Sequence, residues 1–159
     1  MGFVIGFSLL TMLRLTGSIG LTGAPGPAAV AYHERTADAQ ALLQDVNAHR
    51  LGLGLAPLRL DPQLCAIARA HALDMASRSY FGHTSPDGES PFDRMNRAHF
   101  GYGYAGENLA LDESVNAAAA ALWHSPEHRE NILEPHYAKL GVAAVLAPQG
   151  EIFVEDFSD

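Results

Sequence analysis

KLGVAAVLA (139–147), PQG (148–150) and EIFVEDF (151–157) decide the class of the fold. β-branched, aromatic and small apolar residues fill both flanks, and proline with glycine marks a tight turn between them. The stretch reads as a hairpin of two strands. Upstream segments read mainly as helices, so strand pairing is local and comes last. That order predicts an α+β domain with an antiparallel sheet rather than repeated βαβ units.

Working upstream, Leu42, Leu43, Val46 and Arg50 follow three- and four-residue spacing and predict a helix over 36–50, ended by the glycines of LGLGLAP. RLDPQLCAIARAHALDMASRS (59–79) is a stronger helix signal. Asp61 is the expected N-cap, and Pro62 sits where a missing N–H costs nothing. Leu64, Ala68, His71 and Met75 then share one face, which makes His71 a hydrogen-bonded core residue. A short helix is expected over 91–99. GYGYAG (101–106) matches GxGxxG, yet it lacks the preceding strand and following helix that a dinucleotide site needs, so it is read as chance. GYGYAGENLAL runs from loop into strand. DESVNAAAAALWH (112–124) is an alanine-rich helix capped by Asp112 or Ser114.

The length, 159 residues, suffices for one domain with a core, and 48% hydrophobic against 18% charged residues excludes a disordered chain. A net charge of −8 without a dense basic run excludes a sequence-independent nucleic-acid binder. Met1–Leu13 is apolar but too short for a bilayer, which takes roughly 20 residues. With Ala29-Val30-Ala31 as a cleavage-like site, residues 1–31 read as an export signal, although the one basic residue, Arg14, follows the apolar run. Residues 32–38 are then a linker and 39–158 the domain, with no transmembrane helix expected in the mature protein. The single cysteine, Cys65, cannot form an internal disulfide and is expected as a small apolar helix residue.

WHSPEHREN (123–131) contains H-x-x-E-H, a zinc-peptidase signature. That chemistry needs His124 and His128 on one face of a continuous helix. Pro126 lies between them and would cost a helix interior about 3 kcal/mol. Ser125-Pro126 instead makes a helix start, a capping hydroxyl followed by proline at the first turn. His124 then ends one helix and His128 opens the next. Near a helix N-terminus a neutral imidazole is favoured, able to accept a hydrogen bond or ligate a metal.

YFGHTSPDG (80–88), GENLA (106–110) and WHSPEHRENIL (123–133), with LDPQLCAIARAHALDMA before them and LGVAAV and FVEDF after, resemble the CAP superfamily. That family groups cysteine-rich secretory proteins, antigen five and pathogenesis-related proteins, and the match is to its bacterial SCP-like secreted branch. The resemblance implies a three-layer α-β-α sandwich with a central antiparallel sheet and a wide cleft. It carries the cleft residues over to His83, Glu107 and His128. The second glutamate of many members has no counterpart, because Trp123 is followed by His-Ser-Pro. The disulfides of animal and plant members are absent too.

Two histidines and a carboxylate can bind a divalent cation such as zinc, with His83 and His128 as candidate ligands, or relay protons. Glu107 can orient an imidazole or accept loop N–H groups. A structural reading of the trio is a buried polar network bracing sheet and helices. Tyr102 and Tyr104 either line the cleft or pack. Ser85 and Ser125 each precede proline and read as turn and cap residues, so no nucleophile accompanies the histidines. The expected function is a secreted binding module for an extracellular ligand, lipid or envelope component, with no cofactor required. A metal-dependent hydrolase of peptides or envelope polymers is the alternative.

Overall fold

A computed structural model describes residues 32–159, and the expected export signal at 1–31 lies outside them. In order, the elements are β1 (His33–Glu34), α1 (Thr36–Gly52), β2 (Arg59–Leu60), α2 (Pro62–Arg78), α3 (Pro91–Arg97), β3 (Ala105–Asp112), α4 (Val115–His124), α5 (Pro126–Leu133), β4 (Lys139–Ala147) and β5 (Gly150–Ser158). The β4–β5 hairpin forms where the turn chemistry placed it, closing on Ala147 opposite Gly150. Gly150 has φ 139°, a conformation open to glycine and costly for other residues.

The sheet runs β1-β4-β5-β3, with β2 also pairing β4. Pairing is antiparallel except for the two-residue β2–β4 contact, which is parallel. β5 lies between β4 and β3 and is buried on both faces. One face, with Leu109, Ala143, Val145, Ile152 and Val154, packs on Ala68, Ala72, Met75 and Ala76 of α2. The opposite face, with Ala110, Val142, Ala144, Phe153 and Phe157, packs on α1, α4 and α5 through Leu42, Val46, Ala118, Leu122 and Ile132. This is the α-β-α sandwich that the family resemblance implied, on the antiparallel sheet expected from the hairpin.

Local signals account for most boundaries. Asp61 accepts from the N–H groups of Gln63 and Leu64 at 2.8 and 3.0 Å, and Pro62 opens α2 as expected. Ser114, not Asp112, caps α4. α2 lies flush on the sheet because Gly141 faces it: a Cβ there would stand 2.3 Å from the Leu64 carbonyl carbon. Two expectations are corrected. Residues 32–38 are more than a linker, since His33–Glu34 pair with Val145–Leu146 and Thr36 starts α1. Strand pairing satisfies their main-chain groups. Ser125 precedes α5 but its hydroxyl makes no capping bond; proline alone sets that start.

α1 is tied to the far side of its layer by Arg50, which is 1% exposed. Its guanidinium donates to the carbonyls of Ala56, Ile132, Glu134 and Tyr137, at 2.9, 2.8, 3.0 and 3.2 Å. Four acceptors explain how a buried cation is tolerated.

Candidate functional site

The site is built around Glu107 on β3, whose side chain is only 1% exposed. A buried carboxylate needs a cation and donors, and α3 supplies the cation. Ser90 and Asp93 form a reciprocal capping box that fixes the first turn of α3. The next residue, Arg94, turns inward and donates Nη2 to Glu107 Oε2 at 2.7 Å. The same guanidinium donates twice to the His83 carbonyl, each at 3.0 Å, and once to the Glu89 carbonyl. The backbone of the 80–89 loop is therefore held by the residue that neutralises Glu107.

His83 completes the set. Its Nδ1 lies 2.8 Å from Glu107 Oε1, and a carboxylate can only accept, so Nδ1 carries the hydrogen. That leaves Nε2 directed away from Glu107 on a side chain 50% exposed, and in the neutral form of the ring it carries the free lone pair. An imidazole oriented by a carboxylate behind it is a good acceptor, base or ligand. His71 is the hydrogen-bonded core residue expected from α2: its Nε2 donates to the Gly82 carbonyl at 3.1 Å. Burial pushes its pKa down, so it stays neutral beside Glu107 at 3.9 Å.

Asp156 lies across the ladder from Glu107 on the same face. It is fully buried, and neither carboxyl oxygen meets a donor. Burial first and the Glu107 charge second push its carboxyl well above the usual range. Two adjacent buried carboxylates cannot both ionise. Asp156 therefore holds a proton, which it can donate to Glu107, and the single negative charge belongs to Glu107 against Arg94.

His128 reaches this region from the opposite face of the sheet. α4 ends at His124 and α5 begins at Pro126, with extended Ser125 between them. The H-x-x-E-H histidines thus sit on different helices, as the proline required. α5 is held to β3 by Asn108, which donates Nδ2 to the His128 carbonyl and to Glu155 Oε2, both at 3.0 Å. Asn131 donates in turn to Asn108 Oδ1 at 2.9 Å. Gly106 permits this approach, because a Cβ there would meet the Tyr137 hydroxyl at 2.5 Å. The His128 pKa is lowered, chiefly by burial and then by the His83 charge, so the two imidazoles feel one another around β3.

The three carried-over residues thus divide: His83 and Glu107 bond directly, and His128 approaches without a hydrogen bond to either. Among the described residues, no group of three or more His, Cys, Asp or Glu side chains is placed to hold a metal ion. Glu107 is engaged by Arg94 and His83, so two imidazoles remain, short of the three or four protein ligands of zinc sites. Ser85 is a buried turn residue whose Oγ accepts from the N–H groups of Asp87 and Glu89. Burial pushes the Cys65 thiol up, so it is not an activated nucleophile. Tyr104 stacks on His136 at 4.1 Å, and Tyr102 lies against Phe92.

Sequence reasoning missed Arg94, Asn108, Asn131, Glu155 and Asp156. Glu155 and Asp156 had a signal, two acids inside an otherwise apolar strand. Arg94 had none, since arginine in an exposed-looking short helix is commonplace.

The family of cysteine-rich secretory proteins matches over residues 43–157. Bacillus subtilis YkwD is 35% identical over 137 residues, 86% of this chain and 51% of YkwD, so the chain spans about half of that relative. An extracellular SCP-domain protein of Bacillus anthracis aligns with TM-score 0.69 and 30% identity, over 77% of this chain and 40% of the other. An outer surface protein of Borrelia burgdorferi shares the fold with TM-score 0.75 and 23% identity, over 81% of this chain and 98% of the other. The sandwich and these matches together place the chain in the cysteine-rich secretory protein, or CAP, family.

Proposed function

We propose that the domain is an extracellular binding module that engages its ligand through His83 and His128, with no chemistry of its own. The observation that carries the reading is the support behind His83. Glu107, Arg94 and a protonated Asp156 fix one imidazole with its Nε2 toward solvent, while neither serine nor the cysteine is activated. An oriented acceptor without a nucleophile suits recognition better than covalent catalysis. The extracellular setting is taken from the Bacillus anthracis and Borrelia burgdorferi proteins, described as extracellular and outer-surface, and from the export-signal pattern at 1–31. No described helix is long and apolar enough to cross a membrane.

Titration calorimetry with zinc chloride, soluble peptidoglycan fragments, anionic lipid vesicles and a pool of unstructured peptides tests this reading, with His83→Ala and His128→Ala alongside. At least one probe is expected to bind, about tenfold more weakly in each variant, the loss of one good polar contact. Probes that bind both variants like wild type, or none that binds at all, overturn it. The alternative, a metal-dependent hydrolase, is favoured only by the carboxylate-backed imidazole. It predicts turnover of peptide or envelope polymers that requires added metal and fails in His83→Ala.

A further inference from the structure

β3 is the last strand of the sheet, and among the described residues no strand lies beyond it. The ladder fixes which of its main-chain groups face outward. Ala144 O accepts from Arg35 N and Leu140 O from Asp61 N, so the even-numbered residues of β4 face away from β5. The odd-numbered ones bond β5 through pairs such as Gly141–Asp156 and Ala143–Val154. Glu155 and Phe153 then turn to Asn108 and Ala110. What remains on β3 is Ala105, Glu107, Leu109 and Leu111, with N–H and C=O groups directed off the sheet. Tyr104 O agrees with this alternation, since it accepts from Asp159 N on the β5 side.

Among the described residues a single bond reaches this row, from Asn131 Nδ2 to the Glu107 carbonyl at 3.3 Å. Leu111, at the end of the row, is 37% exposed. Glu107 is 7% exposed as a residue but 1% as a side chain, so the solvent reaches its main chain. Edge strands are commonly protected by proline, lysine, a bulge or an inward-pointing charge, and of these β3 has only the charge, Glu107, which Arg94 pairs. AGENLALD has no proline or lysine, and it pairs with β5 without a bulge.

This row runs beside the two histidines, with His83 bonded to Glu107 on one face and His128 brought in from the other. We propose that an extended polypeptide segment of a partner protein docks here as an added strand, hydrogen-bonded to Glu107, Leu109 and Leu111 and flanked by His83 and His128. Alternating donors and acceptors, about 3.3 Å apart per residue, match an extended main chain, and neither a sugar nor a lipid chain repeats that pattern. The inference deepens the binding-module reading by naming its ligand class, and rests on that reading only for the histidines.

The test selects displayed random peptides of about seven residues, the span of one such strand, against the full chain. Enriched sequences are synthesised with single N-methyl groups. N-methylation at alternate positions is expected to weaken binding about tenfold, and at the intervening positions to leave it nearly unchanged. In the free protein the Leu109 and Leu111 amides exchange quickly and the Asn108 and Ala110 amides slowly; bound peptide slows the first pair about tenfold or more. Leu111→Pro, whose lost N–H faces off the sheet, keeps the Tm and loses the peptide. The proposal is overturned if no peptide is enriched, if N-methyl losses do not alternate, or if Leu109 is protected in the free monomer. A dimer that protects Leu109 through a second copy of β3 overturns it equally. Alternating binding that survives in His83→Ala and His128→Ala keeps the docked strand and removes the histidines from recognition. No enriched peptide, with another ligand sensing both histidines, does the reverse.

Discussion

Glu155→Gln should remove most of the pH dependence that one buried acid gives this fold. Glu155 is fully buried on β5; Oε2 accepts from Asn108 and Oε1 has no partner. Burial pushes its carboxyl from 4.5 to about 8, against the Asn108 amide, which favours the anion. In the unfolded chain the group returns to its ordinary value, so the native state holds the proton more tightly. Its contribution is full below about pH 4.5 and is lost as pH rises, until the native group also ionises near 8. Each tenfold ratio in proton affinity is about 1.4 kcal/mol, so the loss totals about 5 kcal/mol. A small domain has only about 5–15 kcal/mol in all. Glutamine keeps the shape, can accept from Asn108 and cannot ionise. Its extra unpaired N–H costs about 1–3 kcal/mol at every pH alike. Asp156 titrates in both proteins and drops out of the difference. The assay is urea unfolding, followed by the fluorescence of the single tryptophan, Trp123, between about pH 4.5 and 9. Variant minus wild-type stability should climb by about 5 kcal/mol across that window, at a slope of about 1.4 kcal/mol per pH unit. Parallel profiles would refute the reasoning, because they would mean that Glu155 ionises normally inside the fold.

Arg94→Met leaves Glu107 buried without its cation and should cost about 3–5 kcal/mol, whereas Arg94→Met with Glu107→Gln should recover more than half of that loss by chemical denaturation. Arg50→Met strands four carbonyls and should cost at least about 3 kcal/mol, with Tm as the readout. Gly141→Ala drives a Cβ into the backbone of α2 and should destabilise by about 1–3 kcal/mol or more, measured the same way. In an NMR titration His128 should lose its proton below the ordinary histidine value of 6.5. His83→Asn should move that midpoint upward by removing a nearby positive charge; an unmoved midpoint would separate the two histidines.

The architecture was legible because its signals are local. Proline and glycine in PQG fix the hairpin, Asp61-Pro62 starts α2, and Pro126 breaks the zinc-like helix, each acting within a few residues. The candidate site was legible in its parts but not in its wiring. His83, Glu107 and His128 came from the family resemblance, yet their relation depends on which face of β3 each approaches, and that follows from pairing register. Arg94 was invisible because a charge becomes structural only when a distant carboxylate needs it. Asp156 could have been suspected, since an acid inside a central apolar strand requires either a partner or a proton.

Arg50 has a consequence for how the molecule comes apart. Three of the four carbonyls it holds lie 82 to 87 positions further along the chain, and they include the end of the helix that carries His128. α1 and α5 should therefore open together, as one cooperative unit, while α2 and the His83 loop on the other side keep their own bonds. Partial unfolding would then silence one histidine before the other, and a protease or chaperone meeting the domain would encounter a half-site rather than no site.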